Sequence, residues 1–113
     1  VGVLQTAADE GILSIGVDSN QNYLHPGKVL TSMLKRVDNA VYDAMSDGPG
    51  MEKGFNVMGV GNNGVGYAMD DNNKDLVTPE MKAAVEEAAA KISDGSLEVH
   101  DYMADDTCPS LSF

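Results

Sequence analysis

Two charged residues stand where a small ligand could be held. Asp18 follows the short apolar run Ile12-Leu13-Ser14-Ile15-Gly16-Val17, and Lys35 closes a second run, Val29-Leu30-Thr31-Ser32-Met33-Leu34. A carboxylate at a strand end can accept hydrogen bonds from two vicinal sugar hydroxyls. An ammonium at the end of the next strand can donate to the same ring, and hydrogen bonds to charged groups contribute about 1.5–3 kcal/mol each. On spacing alone the plainer reading is favoured: Asp18 caps a loop and Lys35 is a solvated surface charge.

Other chemical motifs are weaker. Gly59-Val60-Gly61-Asn62-Asn63-Gly64 matches G-x-G-x-x-G, but the dinucleotide fingerprint needs a helix to open there and hold the pyrophosphate. Val65-Gly66-Tyr67-Ala68-Met69 follows instead and reads as strand, so a flexible turn between two short strands is expected. His25 and His100 are far apart and belong to no ligand-spaced cluster, and Cys108 has no His or basic neighbour to lower its pKa. Asp70-Asp71-Asn72-Asn73 resembles a calcium loop in composition only, lacking the distal Glu. No catalytic residue, metal site or cofactor is assigned.

The elements that would position Asp18 and Lys35 follow from periodicity. Val3, Leu4, Ala7 and Ala8 recur at helical spacing up to Gly11, a good C-terminal stop. Strands are predicted near 12–17, 29–34 and 55–60, with a short one over 64–69 and another over 97–102. Helix followed by Gly and a buried strand is the rhythm of a parallel α/β sheet, and polar residues just past the carboxyl ends of its strands lie where such sheets bind ligands. A helix is predicted near 37–47, with Val37, Ala40, Val41, Ala44 and Met45 as its apolar stripe. A second, near 79–93, has Thr78 as N-cap, Pro79 at its first position and Glu80 in its first turn, with Met81, Val85, Ala88, Ala89 and Ile92 as its buried stripe. Met33, Met45, Met58 and Met81 fit core positions, and residues 70–74 read as a solvated loop.

Composition narrows the function classes. The chain has 113 residues, 42% of them hydrophobic, enough for one small domain or a piece of a larger one. A net charge of −11 repels phosphate backbones and anionic lipid heads, which disfavours nucleic acid and membrane surfaces as partners. A single cysteine excludes an internal disulfide framework. Val1 to Glu10 read as a helix with no initiator Met and no signal peptide, so the N-terminal part of the protein is expected to be missing.

The linked segments carry a resemblance. Gly16-Val17-Asp18-Ser19-Asn20-Gln21, then Val29-Leu30-Thr31-Ser32-Met33-Leu34-Lys35-Arg36-Val37-Asp38-Asn39-Ala40-Val41-Tyr42-Asp43, resembles the basic-membrane-protein family of ABC-transporter binding lipoproteins, the purine nucleoside receptor type. Gly64-Val65-Gly66-Tyr67-Ala68 and the helix from Pro79 to Ile92 are similar to its C-terminal segment, in the same order. The resemblance implies an α/β chain, residues 1–113 being the C-terminal part of a type I periplasmic-binding-protein fold: parallel sheet flanked by helices, two lobes in the full protein. It implies a purine nucleoside ligand, with Asp18 and Lys35 holding the ribose. It implies an ABC transporter permease as partner, and a place in the periplasm or on the cell membrane as an anchored lipoprotein. Base contacts would come from the missing N-terminal part. An effector-sensing domain of a regulator with the same fold, or a receptor for another ligand such as riboflavin, is the alternative. An enzyme ranks below both, because no nucleophile–base pair, metal cluster or working phosphate loop is visible.

Overall fold

The computed structural model describes residues 1–107; Cys108 lies outside them. Helix α1 (Gly2–Asp9) leads into strand β1 (Ser14–Gly16), strand β2 (Val29–Lys35), helix α2 (Val37–Asp47), strand β3 (Val65–Tyr67), helix α3 (Pro79–Ser93) and a short α4 (Tyr102–Asp105). Helix α1 stops as its sequence predicts. Gly11 takes a left-handed φ of 71°, Ile12 N–H donates to Ala7 O at 2.8 Å, and Gly11 N–H donates to Ala8 O at 3.2 Å. This paired closure turns the chain directly into β1.

The sheet has the order β1-β2-β3. β1 and β2 are parallel, with Gly16 beside Ser32 and an irregularity between Ser14 and Ile15. β3 is antiparallel to β2, pairing Lys35 with Val65 and Met33 with Tyr67. The sheet is therefore mixed rather than wholly parallel. The reason is local: Arg36 N–H donates to Gly64 O at 2.9 Å, so β3 starts where β2 ends and runs back along it.

The two long helices have the expected bounds. In α3 the Thr78 hydroxyl accepts from Met81 N–H at 3.2 Å, and Lys91 meets Glu87 at 2.6 Å. Hydrogen bonding to its own backbone N–H, and then to Thr78, holds the Glu80 carboxyl below its ordinary range. Gly95, with φ 79°, ends the run.

Several expectations are corrected. Residues 55–60 form no strand: they join neither outer edge of the sheet, and Phe55 and Val57 project into solvent. Residues 97–102 form none either. Leu97 N–H folds back onto Lys91 O at 2.9 Å, and the Asp101 carboxylate caps α4 through Met103 N–H. The helix stripes are not buried. Val37, Val41, Met45, Met81 and Val85 are exposed, and Met33 and Met81 are surface rather than core residues, because no described element covers those faces. Residues 70–74 are not simply solvated, since Asn73 is 1% exposed.

What packs at the centre is small and largely polar. Among the described residues the buried apolar side chains are Leu4, Val29 and Ala68, with Asn22, Ser32 and Asn73 buried as well. The radius of gyration is 16.9 Å, against roughly 13 Å for a compact chain of this length. An apolar groove of about 410 Å³ lies open between the sheet and α3, lined by Ile15, Leu30, Tyr67, Val77, Met81 and Val85 among others.

Candidate functional site

Asp18 and Lys35 are brought together. Because β1 and β2 are parallel, their carboxyl ends lie at one edge of the sheet; Asp18 sits two residues past Gly16, and Lys35 is the last residue of β2. Lys35 N–H donates to Asp18 O at 2.9 Å, which locks the two backbones. The Lys35 Nζ stands 3.9 Å from Asp18 Oδ1, with the side chains 66% and 71% exposed. An ion pair that long and that open contributes little to stability. Both groups keep hydrogen-bonding capacity for an incoming molecule.

The backbone at Asp18 has φ 80°, a conformation in which a non-glycine residue is uncommon. Asp tolerates it better than most residues, since its short side chain can bond locally. Holding it requires support from around it, and the loop over 17–22 has that support. Val17 N–H donates to the Gln21 side-chain oxygen at 3.3 Å, and Gln21 N–H donates to Ser32 Oγ at 3.0 Å. Ser32 Oγ in turn donates to Asn22 Oδ1 at 2.8 Å. Gly16 allows this approach: a Cβ there would lie 2.5 Å from Ser32 Oγ.

A second set of contacts reaches the same loop from the far side of the chain. Asp70 Oδ2 accepts from Asn20 Nδ2 at 2.7 Å and from Asn22 Nδ2 at 3.2 Å. Asp70 Oδ1 accepts from Asn72 N–H at 2.7 Å. The Asn20 amide, followed by the Asn72 N–H, holds the Asp70 carboxyl below its ordinary range. Asn73 anchors this loop to the sheet, donating to Leu30 O at 2.8 Å and Ala68 O at 3.0 Å and accepting from Asp70 N–H at 2.8 Å. Polarity and position in a loop had marked Asp70 and Asn73 as solvated, and Asn22 as one of the polar residues past the first strand. The run Asp70-Asp71-Asn72-Asn73 carried a signal for a local turn closed by side chains, but none for its docking on β2.

The remaining motifs fall elsewhere. Residues 59–64 make a 3-10 turn over Val60–Asn62, with Gly59 N–H donating to Asn62 Oδ1 at 2.7 Å, and lead into β3 rather than a helix. Among the described residues no helix opens directly after that turn, which the phosphate cradle of a dinucleotide site requires. His25 follows the 3-10 turn Asn22–Leu24, and His100 Nε2 lies 2.7 Å from Thr107 O, far along the chain from Asp18. Among the described residues, no three His, Cys, Asp or Glu side chains converge as a metal ion requires.

An open acid–base pair thus lies at the parallel carboxyl edge of an α/β sheet, backed by a fixed polar loop, at the edge where open α/β sheets commonly bind ligands. The chain belongs to the Bmp family, ABC transporter substrate-binding protein PnrA-like, whose model matches residues 1–100. That is a family of substrate-binding proteins and not an enzyme class. The fold is shared with a solute-binding protein of an ABC transporter system from Aeropyrum pernix K1, at a TM-score of 0.64 and 22% identity over 93% of this chain. The present chain spans 38% of that protein's length. Among curated proteins, none matches the chain significantly.

Proposed function

We propose that this chain forms the ribose-holding wall of a nucleoside site in an extracytoplasmic ABC-transporter receptor, with Asp18 accepting from the sugar hydroxyls and Lys35 donating to them. The observation that carries the reading is the pairing of Asp18 and Lys35 at the carboxyl edge of β1 and β2, 3.9 Å apart and open to solvent. A gap of that length lets a hydroxyl oxygen enter between ammonium and carboxylate and bond to both at ordinary distances of about 2.6–3.0 Å. Family membership over residues 1–100 supports a receptor for transport rather than a regulator.

The rest of the protein completes the site and the fold. The open apolar groove between sheet and α3, together with the exposed stripes of α2 and α3, is the surface that this remaining part would cover. The other wall of the ligand cleft, the base contacts and the surface that meets the permease belong to that part. A lipid anchor on the extracytoplasmic face would keep such a receptor near its permease.

Titration calorimetry on the full-length protein tests the reading, with adenosine, guanosine and inosine against the free bases. Asp18→Ala removes a charged acceptor from two hydroxyls and should weaken all three nucleosides by a similar factor, about 30- to 1000-fold. Lys35→Met keeps the aliphatic stem and removes the donor, for a loss of about 10- to 100-fold. The free bases should change far less. Unchanged nucleoside affinity in a folded Asp18→Ala variant reduces Asp18 to a loop cap.

A further inference from the structure

The geometry points to Asp70 as a positioning residue for Asp18: it pins the loop over 17–22 through Asn20 and Asn22 and so fixes where the ligand-facing carboxylate stands. This rests on the nucleoside reading above and deepens it.

The chemistry of the contact is specific. Each Asp70 oxygen is met only by donors: Oδ2 by the amides of Asn20 and Asn22, Oδ1 by the backbone N–H of Asn72. A carboxylate is the one group of this size that accepts at both ends. An amide at position 70 would set its NH₂ against other N–H groups on one side or the other. The Asn20 and Asn22 amides are themselves held in one orientation. Asn20 Oδ1 accepts from Asn22 N–H at 3.0 Å, and Asn22 Oδ1 accepts from Ser32 Oγ at 2.8 Å. Their NH₂ groups must therefore face Asp70.

The consequence reaches Asp18. The loop leaves β1 at Gly16, bends through the left-handed Asp18, and is next tied down at Asn20, Gln21 and Asn22. Releasing Asn20 and Asn22 from Asp70 leaves the loop held by the Val17–Gln21, Gln21–Ser32 and Ser32–Asn22 bonds and by Lys35 N–H on the Asp18 carbonyl. A left-handed aspartate is costly to maintain on reduced support, so the loop between Asp18 and Asn22 loosens and the carboxylate is aligned with Lys35 for less of the time. Asp70 needs no contact with the ligand to have this effect.

The test is Asp70→Asn in the full-length protein, a change of hydrogen-bond polarity at nearly constant size. Adenosine affinity should fall about 10- to 100-fold while adenine affinity changes less than about threefold. In an Asp18→Ala background the same substitution should cost less than about twofold, because the residue through which it acts is gone. Amide hydrogen exchange on the unliganded protein gives a readout independent of any ligand. Protection should drop at residues 17–22 and at the Lys35 N–H, and stay unchanged in α3. If Asp70→Asn fails to fold, Asn20→Ala at the exposed end of the clasp is measured instead, with the same pattern expected at smaller amplitude.

Adenosine affinity that falls with Asp18→Ala but not with Asp70→Asn overturns this inference and leaves the nucleoside reading standing. Additive losses, or exchange accelerated throughout the chain, overturn it in favour of a general structural role. If Asp18→Ala leaves adenosine binding intact, the nucleoside reading fails. Exchange then decides alone: local loss of protection supports the positioning of the Asp18 loop by Asp70, and unchanged protection refutes it.

Discussion

Gly16 should be irreplaceable by even the smallest side chain. A Cβ at that position would stand 2.5 Å from Ser32 Oγ and 3.0 Å from both Gln21 Cβ and Gln21 Oε1. Restoring ordinary contact requires Ser32 or the backbone of β1 to withdraw by roughly 0.9 Å. Neither moves freely. Gly16 pairs with Ser32 in the parallel ladder, and Ser32 Oγ is fully buried between Gln21 N–H and Asn22 Oδ1. Overpacking of this kind costs about 1–3 kcal/mol. Displacing a buried hydroxyl from its partners adds about 1–3 kcal/mol. Gly16→Ala should therefore destabilise the full-length protein by about 2–6 kcal/mol, read as a lower urea midpoint at unchanged m-value. Ser32→Ala removes the clashing oxygen, so Gly16→Ala should cost at least about 1 kcal/mol less in that background than in the wild type. A Gly16→Ala variant within about 0.5 kcal/mol of wild type, or strict additivity with Ser32→Ala, would refute the steric account.

Two further outcomes can be measured directly. Thr78→Ala removes the acceptor for Met81 N–H and should lower stability by about 1 kcal/mol, whereas Thr78→Ser should restore most of it; equal stability of all three proteins would show that α3 does not depend on its cap. The hydrogen-bonded Arg36 guanidinium lowers the Asp38 carboxyl from 3.8 to about 2. A depressed folded-state value means that this pair supports the fold fully above the ordinary carboxylate range and less and less as pH falls toward 2. The stability difference between wild type and Asp38→Asn should be constant above about pH 5 and shrink toward zero near pH 2; a difference that persists at pH 2 rules the pairing out as its source.

How far the sequence disclosed the structure depended on whether a signal was local. Thr78, Pro79 and Gly95 bound α3 through capping chemistry carried within a few residues, and Gly11 ended α1 in the same way. β1 and β2 were found from their apolar runs, and the motif around Asp18 and Lys35 placed both residues where the structure brings them together. Phe55 and Val57 misled because apolar alternation makes a strand only when the segment reaches a partner edge, and this one lies against neither edge of the sheet. The stripes of α2 and α3 were real as patterns, yet a pattern does not say what covers it. The clasp of Asn20, Asn22, Asp70 and Asn73 went unread because its hydrogen bonds join segments far apart in sequence, and each member alone looks like an ordinary loop residue.

That clasp also sets an order of events in time. The Ser32–Asn22 bond spans 10 residues, whereas the bonds from Asn20 and Asn22 to Asp70 span 50 and 48. Each doubling of a closed loop costs about 0.6 kcal/mol in chain entropy, and distant contacts are slower to form. During folding, β1 and β2 should therefore meet first, with the intervening loop fastened only to Ser32. Asp18 would reach its final geometry when the segment at 70–73 arrives, so a freshly made chain should gain its sheet before it gains its grip.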